Sequence, residues 1–443
     1  MSGLIPDSNQ YGLLTDLYQL TMSACYVGEG IAEKPASFEL FTRHLPPEFG
    51  YLVAMGLEQA LDYLENFHFT AKQISDLQAT GIFANAPAAF WDLLAVGRFT
   101  GDVWAVPEGT LIFAHEPLLR IDAPLWQAQI VETYLLNTIN YQTLIATRAA
   151  RLRDTAGPTA TLLEFGTRRA FSPQASLWAA RAAIAAGLDG TSNVQAALNL
   201  EQKPVGTMAH ALVMAIAALE GDEDEAFNAF SRYFPQAPLL IDTYDTIAAA
   251  KRLGQAVQTG QRQVTGVRLD SGDLVALSQQ VQTLLPDVQI FASGDLDEWE
   301  IARLQATGAQ LSGYGIGTRL VSGQPVNGVY KLVEIDGVPT MKQSSHKATY
   351  PGRKQIFRHW DGDRLGLHPE TPQSQEQPLL QRVMHQGRRY QKSEPLSQIR
   401  QRTAAQVQRL PPATRALSNP VPWNVSISEP LQALRQSLLA ARV

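Results

Sequence analysis

Polar, charged or glycine-rich stretches follow short apolar runs seven times between Thr159 and Leu320, and this repeat constrains the fold more than any other feature of the chain. These stretches, here called the tips, are 164–169, 190–193, 206–210, 241–245, 268–273, 293–295 and 315–318. They lie roughly 20 to 30 residues apart, the spacing expected when strands and helices alternate around a barrel. Because the carboxyl ends of such strands meet on one face, the repeat predicts a pocket lined by polar groups.

The central part of the chain, residues 154–328, is therefore predicted to be an α/β fold of the β/α-barrel type. Its first run, Ala160 to Phe165, is too apolar for a half-exposed strand and is typical of a buried parallel one. Seven tips in about 160 residues are fewer than a full barrel of roughly 250 residues would carry. We expect an irregular or incomplete β/α barrel.

The flanking segments show a different pattern. Residues 1–153 mix helical and strand-rich stretches and end in a long linking helix, predicted from about Pro124 to Arg153. Residues 329–443 begin with a hairpin that turns at Asp336 and Gly337, followed by short strands and basic helices. We expect the two segments to pack together as one mixed α+β domain.

Helix boundaries are predicted from capping residues. Thr15 is predicted to cap a helix within Leu13 to Tyr26. Ser172 followed by Pro173 predicts another helix start, and Gly187 predicts its end. Asp273 has two interpretations, a cap for the helix that follows it or a ligand-binding side chain.

Composition excludes several classes of function. A net charge of -6 over 443 residues gives no broad basic field for nucleic acid or an anionic membrane, so we expect neither partner. Cys25 is the only cysteine, which excludes an intramolecular disulfide framework and a multi-cysteine zinc site. No secretory signal is visible in Met1 to Asn9, and we expect a cytoplasmic protein.

The tips combine anion-binding groups with carboxylates. Gly315, Gly317 and Thr318 can present backbone N–H groups and a hydroxyl to a phosphate. Arg168 and Arg268 offer planar guanidinium groups that bind carboxylate or phosphate through two hydrogen bonds. Phosphate repels the neighbouring aspartates unless a cation such as Mg²⁺ lies between them or they face ribose hydroxyls. These are Asp242, Asp270, Asp273 and Asp295. The tips therefore indicate a ligand with phosphate, sugar hydroxyls and a metal-bound diphosphate.

The tips and several other segments of the sequence resemble the nicotinate phosphoribosyltransferase family, whose members join nicotinate to phosphoribosyl pyrophosphate. The resemblance runs through 15–22, 38–43, every tip, and 342–354. It covers most of the chain in order, and many short matches at compatible spacing are more specific than any one of them. It implies a type II phosphoribosyltransferase fold, small-molecule substrates, and a homodimer in which each subunit helps to complete the partner's site.

The resemblance also implies how nicotinate is bound. Phe165 is expected to lie against the pyridine ring, and Tyr18 of the partner subunit to cover the other face. Arg168 and Arg268 are expected to hold the nicotinate carboxylate and nearby phosphates, in a division of roles that the sequence leaves open. Ser192 stands where relatives that use nicotinamide carry an acidic residue, and the lack of a carboxylate there favours the acid as substrate.

Transfer displaces pyrophosphate from the anomeric carbon while positive charge grows on the ribose. Asp270 and Asp295 suit that charge, and Mg²⁺ with Arg and Lys groups suits the leaving diphosphate. The 5′-phosphate is expected at Gly294, Gly315, Gly317 and Thr318. Further phosphate contacts are expected from the facing subunit, through Arg43, Lys342, Ser344 and Lys347.

His210 is a second expected catalytic centre. Members of the family couple transfer to ATP hydrolysis through a transiently phosphorylated histidine in a Gly-Thr-x-Ala-His context, and residues 206–210 match it. Asp242 is the candidate carboxylate that fixes the imidazole tautomer. The expected co-substrates are thus phosphoribosyl pyrophosphate and ATP, with Mg²⁺ as cofactor.

Several alternatives stay open at this point. Phosphoribosyl transfer to nicotinamide is the rival within the same chemistry. A barrel lyase or aldolase acting on a sugar phosphate also needs phosphate loops and acids, although the tips contain no Schiff-base lysine. A nucleotide sensor without catalytic activity is a third class. The glycines at 315 and 317 have a purely structural interpretation as well, in tight turns or close packing.

Overall fold

The computed structural model describes residues 7–343, 349–390 and 392–441. The chain forms two compact units, named here for their place in the sequence. The terminal unit comprises Met1–Leu144 and Pro325–Val443, and the central unit comprises Ile145–Gln324.

The strands of the described residues fall into three stretches of sequence. The first stretch contains β1 (Pro35–Thr42), β2 (Leu52–Val53), β3 (Asp102–Ala105), β4 (Leu111–Ile112) and β5 (Pro117–Pro124). The second contains β6 (Thr161–Glu164), β7 (Gly190–Thr191), β8 (Leu239–Leu240), β9 (Gly266–Leu269), β10 (Gln289–Ser293) and β11 (Gly313–Ile316). The third contains β12 (Gly328–Ile335), β13 (Val338–Pro339), β14 (Lys354–Arg358), β15 (Asp363–Leu367), β16 (Gln377–Pro378), β17 (Gln381–His385), β18 (Arg388–Arg389) and β19 (Val425–Ile427).

The helices alternate with these strands most regularly in the second stretch. Before it lie α1 (Leu17–Gly28), α2 (Leu57–Asn66), α3 (Ala71–Ala79), α4 (Ala88–Val96), α5 (Leu125–Ile130) and α6 (Glu132–Ala156). Within it lie α7 (Pro173–Ala185), α8 (Val194–Asn199), α9 (His210–Glu220), α10 (Glu223–Tyr233), α11 (Thr246–Gln258), α12 (Leu274–Leu284), α13 (Glu298–Ala306) and α14 (Thr318–Val321). After it lie α15 (Leu396–Arg409), α16 (Pro412–Arg415) and α17 (Glu429–Ala440), and short 3₁₀ helices span Ser8–Leu13 and Thr167–Arg169.

The central unit contains a parallel sheet in the order β7-β6-β11-β10-β9-β8. The predicted mixed α/β fold with a parallel sheet is confirmed, but a barrel is not, because no sheet of the described residues closes. β7 and β8 stand at the two edges, and each is two residues long. Helices α8, α9 and α10 occupy the chain between β7 and β8, so the described residues there add no strand to join the edges.

The strand register places Thr161, Gly313, Phe291 and Arg268 side by side on neighbouring strands. Residues that pair in register share one face of a sheet. The next row along, formed by Leu162, Tyr314, Ala292 and Leu269, is buried throughout. The sheet therefore has a buried apolar row and, on its other face, a row that contains a glycine and an arginine.

The terminal unit contains an antiparallel sheet in the order β13-β12-β1-β5-β3-β17-β18. A second sheet, β16-β14-β15-β19, holds four of the eight described strands of the C-terminal segment. The predicted hairpin is confirmed: β12 and β13 pair antiparallel, with Ile335 opposite Val338 across the turn at Asp336 and Gly337. Phe38 of β1 stacks on Tyr330 of β12 within the core.

The helix caps confirm part of the sequence prediction. Ser172 caps α7 by accepting a hydrogen bond from the Ala175 N–H, and Gly187 takes the positive φ of 136° just beyond the helix end. The prediction that Thr15 caps α1 was wrong, because Asp16 is the N-cap residue and the Thr15 hydroxyl donates to the Ile130 carbonyl. The predicted long helix from Pro124 is interrupted at Val131, which separates α5 from α6.

In the part of the chain that the structure describes, no helix has the length and apolar character needed to cross a bilayer.

Candidate active site

The carboxyl ends of the central strands lie along one edge of the sheet, because all neighbouring pairs are parallel. Six of the seven predicted tips lie at or just beyond these ends, whereas the tip 206–210 follows no strand of the described residues and leads into α9. Phe165 follows β6, Ser192 follows β7, Asp242 lies two residues after β8, Asp270 follows β9 and Gly294 follows β10. The parallel pairing explains why tips that are far apart in sequence belong to the same edge.

A cavity of about 830 Å³ lies within the central unit and is called the sheet cavity here. Its lining includes Phe165, Arg268 and Gly315, three of the predicted binding residues, together with Gly206 and Thr207 of the tip that ends at His210. Aromatic and proline side chains from 233–238 add an apolar wall. A concave site with apolar walls and few polar groups is what small organic ligands use.

The ring of Phe165 lies directly on Gly315. A Cβ atom at position 315 would come within 2.5 Å of two ring carbons of Phe165, a distance that no side chain tolerates. At Gly317 the same test gives 3.3 Å to the Phe165 carbonyl oxygen. The structure thus supports the packing interpretation of Gly315, while phosphate binding by Gly315, Gly317 and Thr318 stays a prediction.

Glu164 fixes the first tip in place. Its buried carboxylate accepts hydrogen bonds from the Gly166 N–H and from the Thr191 hydroxyl of β7. Burial raises the pKa of Glu164, although both hydrogen bonds act in the opposite direction. These contacts tie the segment after Phe165 to the neighbouring strand.

Arg268 is partly buried and only partly satisfied. One Nη2 hydrogen bond, of 3.0 Å, reaches the Met208 carbonyl, and the buried Nε has no partner among the described residues. Burial lowers the pKa of Arg268, and the nearby Arg168 acts in the same direction, whereas Asp270 and Asp242 oppose it. A cation that retains an unpaired buried donor is suited to an anionic ligand.

Asp242 and Asp270 belong to one hydrogen-bonded network. The Oδ2 atom of Asp242 accepts from the Asp270 N–H and from the Ser271 hydroxyl, both at 2.8 Å. The Asp270 carboxylate accepts from the Ser293 hydroxyl. Gly294 has a φ of 92°, and a Cβ atom there would lie 2.5 Å from the Asp270 carbonyl oxygen. The structure therefore brings the ends of β8, β9 and β10 into direct contact.

His210 opens helix α9 and meets the tip after β8. Its Nδ1 lies 3.1 Å from the Thr243 hydroxyl, and its Nε2 lies 3.9 Å from Asp242 Oδ1. The second distance is too long for a hydrogen bond. The expected pairing of His210 with Asp242 is therefore present as proximity, and Thr243 makes the hydrogen bond to the ring.

The remaining predicted residues of the central unit lie at the same strand ends. Arg168 is exposed in the 3₁₀ helix after β6 and is near enough to Arg268 to influence its pKa. Ser192 donates its backbone N–H to the Glu164 carbonyl. Asp295 has a φ of 45° directly after the left-handed Gly294, and both residues are exposed. Thr318 begins α14 immediately after Gly317.

Comparison with family models matches nearly the whole chain. Residues 13–140 match the nicotinate phosphoribosyltransferase N-terminal domain, 160–361 the nicotinate phosphoribosyltransferase family, and 353–435 its C-terminal domain. The chain belongs to the nicotinate phosphoribosyltransferase family.

Individual relatives agree with the family models. Nicotinate phosphoribosyltransferase pncB2 of Mycobacterium tuberculosis is 41% identical over 428 residues, covering 92% of this chain and 89% of that protein. The Bacillus subtilis nicotinate phosphoribosyltransferase is 42% identical over 398 residues, covering 84% and 79%. The crystal structure of human nicotinic acid phosphoribosyltransferase superposes with a TM-score of 0.82 at 31% identity, covering 96% of this chain and 100% of that one.

The other predicted residues belong to the terminal unit. Tyr18 lies on α1 and is 48% exposed, as a residue that contacts a partner requires. Arg43 follows β1 and has a buried Nε without a partner among the described residues. Lys342 is exposed, and its N–H donates to the Thr349 hydroxyl. Ser344 and Lys347 lie outside the described residues. In this member of the nicotinate phosphoribosyltransferase family, the roles of all five stay predictions.

Sequence reasoning missed two side chains near the predicted residues. Lys203 lines the sheet cavity, three residues before the tip that starts at Gly206. Thr243 was inside a predicted tip but was given no role. A lysine next to a glycine-containing tip was the available signal for Lys203. Because Lys203 lines the cavity, the lack of a lysine in the tips no longer disfavours a Schiff-base lyase. Family membership is what disfavours a lyase.

Proposed function

We propose that this chain transfers the phosphoribosyl group of phosphoribosyl pyrophosphate to nicotinate, giving nicotinate mononucleotide and pyrophosphate, as a step of NAD biosynthesis in the cytoplasm. Family membership supports the reaction. The observation that carries it is the sheet cavity, which the Phe165 ring and the partly unpaired Arg268 both line.

Phe165 supplies a flat surface for the pyridine ring, and Arg268 supplies the charge for its carboxylate. A stacked ring beside a partly desolvated guanidinium distinguishes nicotinate from neutral nicotinamide, because only the acid can pair with the charge. Arg168, exposed in the 3₁₀ helix after β6, adds to the field that favours the anion. Tyr18 of a partner subunit would cover the second face of the ring in a homodimer.

During transfer, the bond between the anomeric carbon and the pyrophosphate oxygen breaks, and a bond from that carbon to the pyridine nitrogen forms. The pyridine nitrogen supplies the electron pair, and pyrophosphate leaves with the pair from the broken bond. Positive charge grows on the ribose, and the Asp270 carboxylate, fixed by Ser293, is the group that stabilises it. The turn at Gly294 and Asp295, with the segment Gly317–Thr318, is assigned to the 5′-phosphate.

Asp242 is suited to a magnesium ion that arrives with the diphosphate. Mg²⁺ bound to a substrate diphosphate uses only one or two protein carboxylates, and Asp242 Oδ1 is buried without a hydrogen-bond partner among the described residues. When bound, the ion neutralises charge on the leaving diphosphate. Asp242 therefore has one oxygen that holds the Asp270 backbone and one that is available to the metal.

His210 is proposed as the site of transient phosphorylation by ATP. In the tautomer whose Nδ1–H donates to the Thr243 hydroxyl, Nε2 carries the free lone pair and is the nucleophilic nitrogen; the side chain is 40% exposed. In this step, Nε2 forms a bond to the γ-phosphorus and ADP leaves; water later cleaves the phosphohistidine to give inorganic phosphate.

Product analysis tests the reaction. Nicotinate, phosphoribosyl pyrophosphate and Mg²⁺ are incubated with the protein, with nicotinamide in a parallel series, each with and without ATP. We expect nicotinate mononucleotide and pyrophosphate in equal amounts, and little product from nicotinamide. Equal rates with both bases would contradict the role given to Arg268, and no pyrophosphate with either base would refute the proposed reaction.

Variants of the histidine tip test the coupling. His210→Ala is expected to retain transfer and to lose its stimulation by ATP, whereas Thr243→Val, which removes the hydrogen bond to Nδ1, should lose only part of that stimulation. His68→Ala, which changes a histidine of the terminal unit, is the control. Undiminished ATP-driven turnover in His210→Ala would disprove the phosphohistidine.

A further inference from the structure

A second cavity, of about 490 Å³, lies wholly within the terminal unit and is called the C-terminal cavity here. Most of its lining comes from 358–423, inside the stretch that matches the C-terminal family domain, and Leu111 and Phe113 of the N-terminal segment complete it. It shares no lining residue with the sheet cavity. Its volume is within the range of small-ligand sites.

The cavity has an aromatic wall. The rings of Phe113 and Trp423 stack with centroids 5.6 Å apart and planes inclined by 23°. Trp360 also lines the cavity and is 75% exposed. Aromatic groups at the boundary of a water-accessible cavity can stack on the flat face of a nucleobase.

The cavity is also cationic. The guanidinium groups of Arg358 and Arg409 line it beside the His359 ring, and among the described lining residues none is Asp or Glu, although the whole chain has a net charge of -6. The Arg358 guanidinium is already paired with Asp363 at 2.7 Å, and the His359 ring contacts Asp361. Arg409 makes no hydrogen bond or ion pair with another described residue, so its charge is available to a ligand.

Two further donors in the lining are unused. The Trp423 indole N–H is buried and has no acceptor among the residues that the structure describes. Gln406 accepts hydrogen bonds through Oε1 from the Leu111 N–H and from Arg358, which leaves its NH₂ group to donate elsewhere. A buried indole N–H without an acceptor is rare, because burial without a partner is costly.

From this lining we propose that the C-terminal cavity binds a nucleoside monophosphate, separately from the candidate active site. The base lies against the aromatic wall, the Trp423 and Gln406 donors face its polar edge or ribose, and Arg409 binds the phosphate. An aromatic base and an anion together account for each unused group, whereas a simple anion leaves the aromatic wall unexplained and a neutral aromatic leaves Arg409 unpaired.

The test is calorimetric titration with AMP in an Arg268→Gln background, which removes a guanidinium group from the lining of the sheet cavity. We expect one AMP per chain. Arg409→Gln should weaken binding about tenfold, the usual effect of losing a charge-assisted phosphate contact. Trp423→Phe, which keeps a ring and removes the N–H, should weaken it less. Arg388→Gln, the same change at an exposed site outside the lining, is the matched control.

Adenosine and inorganic phosphate as separate probes divide the contributions. Each should bind more weakly than AMP, and Arg409→Gln should affect phosphate but not adenosine. AMP binding that is equal in Arg409→Gln and its parent, or no AMP binding to the parent at millimolar concentration, would overturn the proposal. So would phosphate binding as tightly as AMP. Because the readout is binding alone, these outcomes are independent of whether the chain transfers phosphoribosyl groups.

Discussion

Lys354 of the terminal unit and Arg268 of the central unit are both cations whose pKa burial lowers, but their surroundings differ. The Lys354 ammonium donates to the Tyr350 and Gly352 carbonyls at 2.8 and 2.9 Å and pairs with Glu39 at 2.8 Å. All three of its donors are thus occupied. Arg268 makes one hydrogen bond, and its buried Nε has no partner among the described residues.

This contrast separates buried charges that stabilise the fold from those that serve a ligand. A cation whose donors are all satisfied inside the protein has no capacity left for a substrate, and removing it leaves its partner unpaired. A cation with unused donors adds little to the folded state and can bind an anion. Lys354 should therefore matter for stability, and Arg268 for activity.

The largest expected effect is on catalysis. Arg268→Gln should lower kcat/KM for nicotinate by on the order of a hundredfold, as expected for a lost charge-assisted contact to a desolvated anion. Its free energy of unfolding should change by less than about 1 kcal/mol, because only the bond to Met208 is lost. Steady-state kinetics and urea unfolding measure the two quantities.

The control is Arg303→Gln, the same substitution at an exposed ion pair with Glu300 in the same unit. It should leave both quantities nearly unchanged, as exposed pairs contribute little. If Arg268→Gln were fully active but strongly destabilised, Arg268 would be a residue that stabilises the fold and not one that binds the ligand.

The second effect is on stability. Lys354→Met should lower the free energy of unfolding by about 3–5 kcal/mol, because the Glu39 carboxylate, 0% exposed, loses its ion-pair partner. The double variant Lys354→Met with Glu39→Gln removes both charges and keeps an acceptor for the Lys354 backbone N–H. It should recover most of the loss in urea unfolding. A double variant no more stable than the single one would show that the pairing is not the cause.

The same contrast shows how far the sequence could go. The strand-end positions of Phe165, Asp242 and Asp270 were predictable, because an apolar run followed by a polar tip is a local pattern. That Lys354 and Glu39 form a buried pair was not, because the two residues are 315 positions apart and their contact depends on tertiary packing.

Two details of the central unit also could not be predicted from local sequence patterns. The open sheet follows from the absence of pairing between β7 and β8, which is a property of register and not of any one segment. Thr243, rather than Asp242, hydrogen-bonds His210, and this depends on how the tip after β8 turns toward α9. The tips indicate which residues gather at the sheet edge, but not which atoms touch.

A third prediction concerns shape instead of charge. Gly315→Ala should lower the free energy of unfolding by about 1–3 kcal/mol, the usual cost of an overpacked contact, because the new Cβ meets the Phe165 ring at 2.5 Å. Displacing that ring should also raise the KM for nicotinate. Gly206→Ala, where a Cβ meets nothing within 4 Å, is the matched control in the same cavity lining. Equal behaviour of the two variants would argue against stacking on Phe165.

The smallest expected effect is pH dependence in the terminal unit. His368 packs edge-on against Trp104, with ring centroids 4.6 Å apart, and its buried Nδ1 has no partner among the described residues. Burial, with the charges of Arg120 and Arg353, lowers the pKa of His368 from 6.5 to about 4, and Asp122 opposes this only in part.

Because the folded chain binds this proton less readily than the unfolded chain, the stability contribution is complete above pH 6.5 and is lost as the pH falls toward about 4. Between pH 7 and pH 4 the free energy of unfolding should fall less in His368→Phe than in the parent. The difference should be on the order of 1 kcal/mol, after allowance for partial exposure. Urea unfolding of both proteins at several pH values measures this, and the two curves should run parallel between pH 7 and pH 8. Parallel curves down to pH 4 would mean that His368 titrates alike in the folded and the unfolded chain. His368 would then make no contribution to stability, in contrast to the one expected of Lys354.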